Sequence, residues 1–323
     1  MTTPKHSPYD PLLYETPLPI RRTLYPIGFP ATIVSNHENV IRAAESIWGK
    51  FEPASDAPAV ELRIAVSESM EPSAPSRMPT GQGHLVSFLH DANNFVQMDL
   101  RAGFAYGWLS AAVARDAPYV RYYFVEPAVA LMVEAHHLAT LHCACVSLDG
   151  KGVLLCGGPE AGKSTLAYAC ARRGWNYVSD DASHVIRNSA GREIFGNPYQ
   201  VRFRPHCQTL FPELARFAPY DRPNGKPSLE LDTSILNIST ARSAPADVAV
   251  FLNRSGGGQG LTAFDKSEAY QQLIRFLVVG EESIREQQRA AIRRVLDVPV
   301  YEMRYQDLDW AEQRLRALVE NGR

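Results

Sequence analysis

A glycine-rich stretch near the middle of the chain carries the residues with the clearest chemistry. Its residues are Gly157, Gly158, Pro159, Glu160, Ala161, Gly162, Lys163 and Ser164. The spacing G-x-x-x-x-G-K-[ST] is that of a phosphate-binding loop. The apolar run Val153–Cys156 precedes it as a predicted buried strand, and residues 164–173 follow with the apolar spacing of a helix. The stretch is therefore predicted to bind the phosphates of a nucleotide.

Each part of this stretch predicts a separate contact. The glycines let backbone N–H groups turn inward around phosphate oxygens, and the start of the helix adds partial positive charge. Lys163 is expected to reach the β- and γ-phosphates, and the Ser164 hydroxyl to ligate Mg²⁺. The predicted nucleotide contacts are the eight residues of the stretch together with Thr165 and Arg204.

A histidine is predicted to stand beside the loop. Asp149–Gly150 separates two apolar runs, which is typical of a two-residue type I′ hairpin turn. That turn pairs Leu148 with Lys151 and, continued along both strands, pairs His142 with Gly157. A lone histidine on a strand is more often packed or solvated than catalytic, so the candidacy of His142 depends on this register.

An aspartate pair follows the next predicted strand, residues 175–178. Asp180 and Asp181 occupy the position at which phosphate-loop enzymes hold Mg²⁺. One carboxylate of such a pair can serve the metal while the other accepts a proton from an attacking hydroxyl, and mutual repulsion helps to keep one of them basic. The alternative is an Asp-Asp turn on the surface.

Further candidates lie later in the chain. Arg202, Arg204 and Lys226 are cations suited to phosphate oxygens or to an acceptor carboxylate, and the sequence leaves open which of them belong to the site. Residues 256–258 are three glycines, and they are predicted to form a tip able to cover a nucleotide. Cys143 and Cys145 share one face of a strand without a second cysteine pair, which favours buried packing over a metal site.

Composition limits the classes of partner. The chain has 323 residues with 33 basic and 35 acidic side chains and a formal net charge of −2, which argues against nucleic acid or an anionic membrane as a partner. No apolar run approaches the roughly 18 residues of a membrane span, and residues 1–10 lack the layout of a signal peptide. Most of the five cysteines lie in apolar segments, as is typical of buried free thiols in proteins of a reducing compartment. We therefore expect a cytoplasmic location.

The chain is predicted to form two domains, residues 1–125 and 126–323. The first is predicted to be an α+β unit with a mostly antiparallel sheet, and about 20 residues before it are predicted to form an extended arm. Because it contains no recognisable catalytic group of residues, we expect this domain to be structural or to present the substrate. The second reads as α/β. The elements predicted in the first domain are strands 23–27, 31–35, 60–66, 84–89, 95–100, 104–109 and 119–125, a helix at 38–51 and a long exposed loop at 67–83.

Residues 141 to about 186 resemble the catalytic domain of the bacterial HPr kinase/phosphorylase family, which shares a nucleotide-binding core with phosphoenolpyruvate carboxykinases. The shared layout is a histidine before a hairpin, G-x-x-x-x-G-K-S, and an aspartate pair after the next short strand. The resemblance implies an α/β fold with a phosphate-loop kinase domain. Residues 200–204 read Gln-Val-Arg-Phe-Arg where bifunctional members carry Glu-x-Arg-Gly-Leu-Gly, so the resemblance does not imply HPr as substrate or the reverse phosphorylase reaction.

The resemblance also implies roles for individual residues. Lys163 would contact the phosphates, while Ser164 and Asp181 would hold Mg²⁺. Asp180 would accept the proton of the target hydroxyl, and His142 would assist it. Some smaller relatives phosphorylate other hydroxyls, including serines of ribosomally made peptides.

The predicted activity is an ATP- and Mg²⁺-dependent kinase acting on a hydroxyl, in first place a serine of a protein or peptide. Two alternatives stay open, a small-molecule kinase or carboxykinase-like enzyme of the same fold and a nucleotide-binding regulatory protein without turnover. The aspartate pair argues against the regulatory protein, because a binder needs no proton acceptor. A homo-oligomer is compatible with the sequence.

Overall fold

The computed structural model describes residues 10–75, 78–254, 257–277 and 281–321. It divides the chain into two compact units, residues 1–137 with 278–284 and residues 138–277 with 285–323. The sequence had placed the boundary before Glu126. The difference arises because the helix Glu126–His136 packs on strands of the first unit. Of the predicted arm, residues 1–9 lie outside the described part of the chain.

The first unit is built on a mixed sheet of seven strands in the described residues. Its strands are Ile20–Leu24 (β1), Ala31–Ser35 (β2), Val60–Val66 (β3), Thr80–Gln82 (β4), Leu85–Asp91 (β5), Asn94–Asp99 (β6) and Phe104–Leu109 (β7). Its helices are Glu38–Trp48 (α1), Ala111–Ala114 (α2), Ala117–Val120 (α3) and Glu126–His136 (α4). The strand order is β1-β2-β3-β7-β6-β5-β4, in which β3 runs parallel to both β2 and β7 and the other pairs are antiparallel.

Two predictions in this unit are corrected. The predicted strand 119–125 is helical, because Asp116 caps α3 by accepting from the Tyr119 N–H at 3.0 Å and a π-helical turn over Arg121–Val125 continues into α4. The aromatic side chains that indicated a strand instead pack along this helical run. The predicted loop 67–83 contains strand β4, which pairs with β5.

The second unit is built on a sheet of nine strands and a smaller sheet of three in the described residues. The strands are Leu138–Leu141 (β8), Cys143–Leu148 (β9), Lys151–Cys156 (β10), Asn176–Ser179 (β11), Ser183–Ile186 (β12), Glu193–Phe195 (β13), Gln200–Phe203 (β14), Tyr220–Asp221 (β15), Pro227–Asp232 (β16), Ser243–Asn253 (β17), Gly260–Ala263 (β18) and Val300–Arg304 (β19). The helices are Lys163–Ala171 (α5), Cys207–Leu210 (α6), Lys266–Ile274 (α7), Glu282–Val295 (α8) and Leu308–Asn321 (α9). The chain as a whole is thus mixed α/β with several sheets.

The larger sheet is buried on both faces, which explains its near-continuous apolar strands. Alternate residues of the β9–β10 hairpin enter two different cores: Val146 and Leu155 pack with α5 and α9, whereas Cys145 and Leu154 pack with α7 and α8. Strands β10, β17 and β19 run parallel in that order across the sheet. Their carboxyl ends therefore meet at one edge, and the glycine-rich stretch begins there. In the described part of the chain, no helix is both long and apolar enough to cross a bilayer.

Candidate functional site

The glycine-rich loop connects β10 to α5 and requires glycine at both of its ends. Gly157 has a φ of 146° and Gly162 a φ of 93°, which is a region that side chains disfavour. A Cβ on Gly162 would also stand 2.4 Å from the Tyr305 hydroxyl, which donates a hydrogen bond to the Ala161 carbonyl at 3.2 Å. The buried Tyr305 ring thus holds the end of the loop close to the start of α5.

Lys163 folds back into the loop that precedes it. Its Nζ donates to the carbonyls of Gly157 at 3.0 Å and Gly158 at 3.2 Å, and it lies 3.1 Å from Nε2 of His142. The residue is buried, and this burial lowers the pKa of the ammonium group, while the charge of Asp181 partly opposes the effect. The loop, the lysine and the histidine therefore form one connected unit.

His142 lies between β8 and β9, where the predicted hairpin register brings it. The pairs run from Leu148–Lys151 to Cys143–Cys156, and Asp149–Gly150 has the two positive φ angles of a type I′ turn, so the predicted hairpin and register are confirmed. The next position along each strand is His142 and Gly157. The structure thus brings His142 to the start of the glycine-rich loop.

His142 bridges Lys163 and the aspartate pair. Its Nδ1 lies 3.3 Å from Oδ1 of Asp181, and its ring packs against that of Phe276 with centroids 4.5 Å apart. Burial lowers the pKa of His142 below its ordinary value of 6.5, with Asp181 opposing this effect and Lys163 adding to it. The imidazole is therefore neutral at neutral pH. Nε2 accepts from the Lys163 ammonium, so the proton of the neutral ring lies on Nδ1, the nitrogen that faces Oδ1 of Asp181.

Asp180 is the buried member of the pair and Asp181 the exposed one. Oδ2 of Asp180 accepts from the Arg202 N–H at 2.7 Å, whereas the Asp181 side chain is 56% exposed. Burial and then the charge of Asp181 raise the pKa of Asp180 from 3.8 to about 6, while the Arg202 N–H favours the charged form. Asp180 is thus a carboxylate that can take up a proton near neutral pH.

The residues present fit a magnesium ion shared with phosphate. The Ser164 hydroxyl donates to the Asp180 carbonyl at 3.3 Å, which places it at the aspartate pair. Among the described residues there is no group of three or more His, Cys, Asp or Glu side chains that could hold a metal by themselves. Mg²⁺ in phosphate-transfer sites needs only one or two carboxylates besides the substrate oxygens, and Ser164 and Asp181 supply hard oxygen ligands of this type.

The remaining candidate residues differ in whether they contact the loop or the aspartate pair. Arg202 reaches the site through its backbone N–H, while its side chain lies 3.2 Å from Glu230, which also pairs with Arg222. Arg204 and Lys226 are exposed, and no contact within the described ranges joins either to the loop. Of the other predicted contacts, Gly158, Pro159 and Glu160 are exposed on the loop, and Thr165 is half-buried at the start of α5. Of the predicted glycine tip, residue 256 lies outside the described residues.

Two aromatic residues of the site were missed by the sequence reading. Phe276 follows α7 and contacts His142, and Tyr305 follows β19 and contacts the loop. Tyr305 directly follows β19, which is a weak signal, since residues at the carboxyl end of a parallel strand often line a site. Its place beside the loop depends on the long-range pairing of β19 with β17.

Comparison with known proteins finds only a distant structural likeness. No protein-family model matches the chain, and no curated protein matches it. Among solved structures, the chain is similar to the Hpr(Ser) kinase/phosphatase from Coxiella burnetii at 13% identity and a TM-score of 0.29, over 55% of this chain and 93% of that chain. A likeness at this score assigns no function to the chain.

Proposed function

We propose that the glycine-rich loop binds the phosphates of ATP and that the chain transfers the γ-phosphate to a hydroxyl group. The observation that carries this proposal is the line of contacts from Lys163 through His142 to Asp181, with the buried Asp180 next to it. A phosphate-binding cation and a carboxylate of raised pKa lie within one connected network. Phosphoryl transfer needs this combination of charge neutralisation, positioning and proton acceptance.

The reaction balances with the residues present. A lone pair on the acceptor oxygen forms the new bond to the γ-phosphorus, and the bond from phosphorus to the β,γ-bridging oxygen breaks. ADP leaves with that electron pair, and the proton of the acceptor hydroxyl passes to Asp180. Lys163 neutralises charge on the β- and γ-phosphate oxygens during this change.

Asp180 suits the role of proton acceptor better than Asp181 does. Its pKa of about 6 leaves it charged at neutral pH and more basic than an ordinary aspartate, and Arg202 N–H fixes one of its two oxygens. Asp181 is more exposed, and its Oδ1 lies 3.3 Å from His142 Nδ1, so we assign it with Ser164 to Mg²⁺. When bound, Mg²⁺ would neutralise phosphate charge.

We assign His142 to positioning. Its neutral ring accepts from Lys163, and its Nδ1 faces Oδ1 of Asp181 at 3.3 Å, so the ring stands between the cation and the aspartate pair. The Phe276 ring restricts the imidazole from one side. Loss of His142 would loosen both neighbours without removing the proton acceptor or the phosphate-binding charge.

The acceptor we propose is a serine hydroxyl of a protein or peptide, and its support is the resemblance of the histidine, loop and aspartate layout to serine kinases. The same chemistry would serve a small-molecule hydroxyl, and a regulatory protein would bind ATP without transfer. These outcomes separate when the chain is incubated with γ-labelled ATP and Mg²⁺ in three parallel reactions. The reactions offer serine peptides, small alcohols and a lysate of the source organism.

The expected result is label in a phosphoserine ester, and the matched controls are Lys163→Ala and Asp180→Asn. Label in a small molecule would move the assignment to a small-molecule kinase. Tight ATP binding with no labelled product in any of the three reactions would overturn the kinase proposal in favour of a regulatory binder.

A further inference from the structure

Arg254 lies at the same edge of the sheet as the glycine-rich loop. It follows β17, which runs parallel to β10 on one side and to β19 on the other. The loop follows β10 at that edge, and Tyr305 follows β19. Ligands of parallel sheets bind where the carboxyl ends of neighbouring strands meet, so Arg254 has the position of a ligand contact.

The contacts of Arg254 place its side chain over the turn that opens α5. Its Cδ lies 3.5 Å from the point at which a Cβ on Gly162 would stand. Its guanidinium carbon lies 5.6 Å from the centroid of the Tyr305 ring, within the range of a cation–π contact. Tyr305 is itself buried and bonded to Ala161, so the stem of the arginine rests on a fixed support while the residue is exposed.

The charges at the site do not by themselves neutralise a bound nucleotide, so a second cation would be favourable there. Lys163 is the cation within the loop, but it faces the carboxylates of Asp181 and Asp180. A nucleotide di- or triphosphate brings several negative charges to this position. A guanidinium offers several donors in a planar fork that matches phosphate oxygens.

We propose that Arg254 is a second cationic contact for the nucleotide phosphates, acting beside Lys163. This inference rests on the proposed nucleotide binding and adds a residue that the loop motif does not contain. The sequence pattern gave no indication of it, because Arg254 is separated from the loop by about 90 residues and only the pairing of β10 with β17 brings them together.

The test compares nucleotide affinity in three variants of the full chain. Arg254→Ala removes the charge and the stem, and Arg254→Met keeps an apolar stem without the charge. Arg314→Ala is the matched control, because Arg314 is also an exposed arginine over an aromatic ring, 5.4 Å from the centroid of Trp310 on α9. Dissociation constants for ADP and ATP with Mg²⁺ are measured by calorimetry, and thermal melting without nucleotide checks that each variant is folded.

We expect both Arg254 variants to bind ADP and ATP about 10- to 100-fold more weakly than the wild type, as loss of a charge-assisted hydrogen bond implies. Arg314→Ala should bind like the wild type. Wild-type affinity in Arg254→Met would overturn the phosphate contact, since the stem alone would then suffice. Equal losses in Arg254→Ala and Arg314→Ala would overturn it as well. If the wild type itself binds neither nucleotide, the proposed function fails first, and this result is distinct from the others.

Discussion

Replacing Asp180 by asparagine should stabilise the protein at neutral pH and lower the rate of transfer about 10²- to 10⁴-fold. Burial and the neighbouring Asp181 raise the pKa of Asp180 from 3.8 to about 6, so the folded protein holds a carboxylate at neutral pH at a cost in free energy. With a tenfold change in a protonation equilibrium worth about 1.4 kcal/mol, this cost is about 3 kcal/mol above pH 6. Asparagine is close in size and can still accept from the Arg202 N–H, but it carries no charge.

The sign of the pH dependence follows from the raised pKa. Well below pH 3.8 the carboxyl is protonated in both the folded and the unfolded chain, and Asp180 then costs nothing in stability. As pH rises through the interval from 3.8 to about 6, the unfolded chain ionises first and the wild type loses stability. The advantage of Asp180→Asn should therefore be about 0.5 kcal/mol at pH 4, about half of its maximum at pH 5 and about 3 kcal/mol at pH 8.

The assay is denaturant unfolding of the wild type and Asp180→Asn at several pH values from 4 to 8. Asp297→Asn, the same change at an exposed position, is the control. The readout is the pH dependence of the difference in unfolding free energy, because any packing defect caused by the amide would act equally at every pH. A difference that stays constant across this range would refute the assignment of a raised pKa to a buried, charged Asp180.

Further predictions concern the loop and the histidine. Lys163→Ala should weaken ATP binding in calorimetry by about 1.5–3 kcal/mol, and unchanged affinity in a folded variant would contradict the phosphate contact. His142→Ala should lower the transfer rate less than Asp180→Asn does, and an equal loss would show that His142 does more than position its neighbours. Gly162→Ala should lower stability by about 1–3 kcal/mol through its positive φ and the Tyr305 contact. Adding Tyr305→Phe should recover part of that loss in thermal unfolding, and no recovery would argue against the contact.

The local features of the site could be predicted because they depend on short-range geometry. The Asp149–Gly150 turn fixes the register of its hairpin, and that register alone carries His142 to the loop. In the same way, the apolar run of β10 and the glycine spacing predict the strand, loop and helix that hold Lys163. Each of these inferences spans only a few residues on either side of a turn.

The features that could not be predicted from the sequence depend on long-range strand pairing, or on a segment that could form either a strand or a helix. Tyr305 and Arg254 reach the loop only because β19, β17 and β10 align in parallel. The guanidinium of Arg202 suggests a phosphate contact in the sequence, yet in the structure it is the backbone N–H of Arg202 that contacts Asp180. Residues 119–125 have aromatic side chains typical of a strand, but the cap from Asp116 starts a helix there. The pattern of side-chain types alone does not predict which strands pair, which atoms of a residue enter the site, or whether this segment is helical.

The central claim is that this site moves the γ-phosphate of ATP to a hydroxyl with Asp180 as proton acceptor. The most direct measurement is the rate of label transfer from γ-labelled ATP to the acceptor at saturating ATP and Mg²⁺, for the wild type and for Asp180→Asn. The account predicts an acid-stable phosphate ester in the wild type and a rate about 10²- to 10⁴-fold lower in the variant, with ATP binding retained. Equal transfer rates in the two proteins would contradict the assignment of Asp180, and the absence of any labelled ester in the wild type would contradict the claim as a whole.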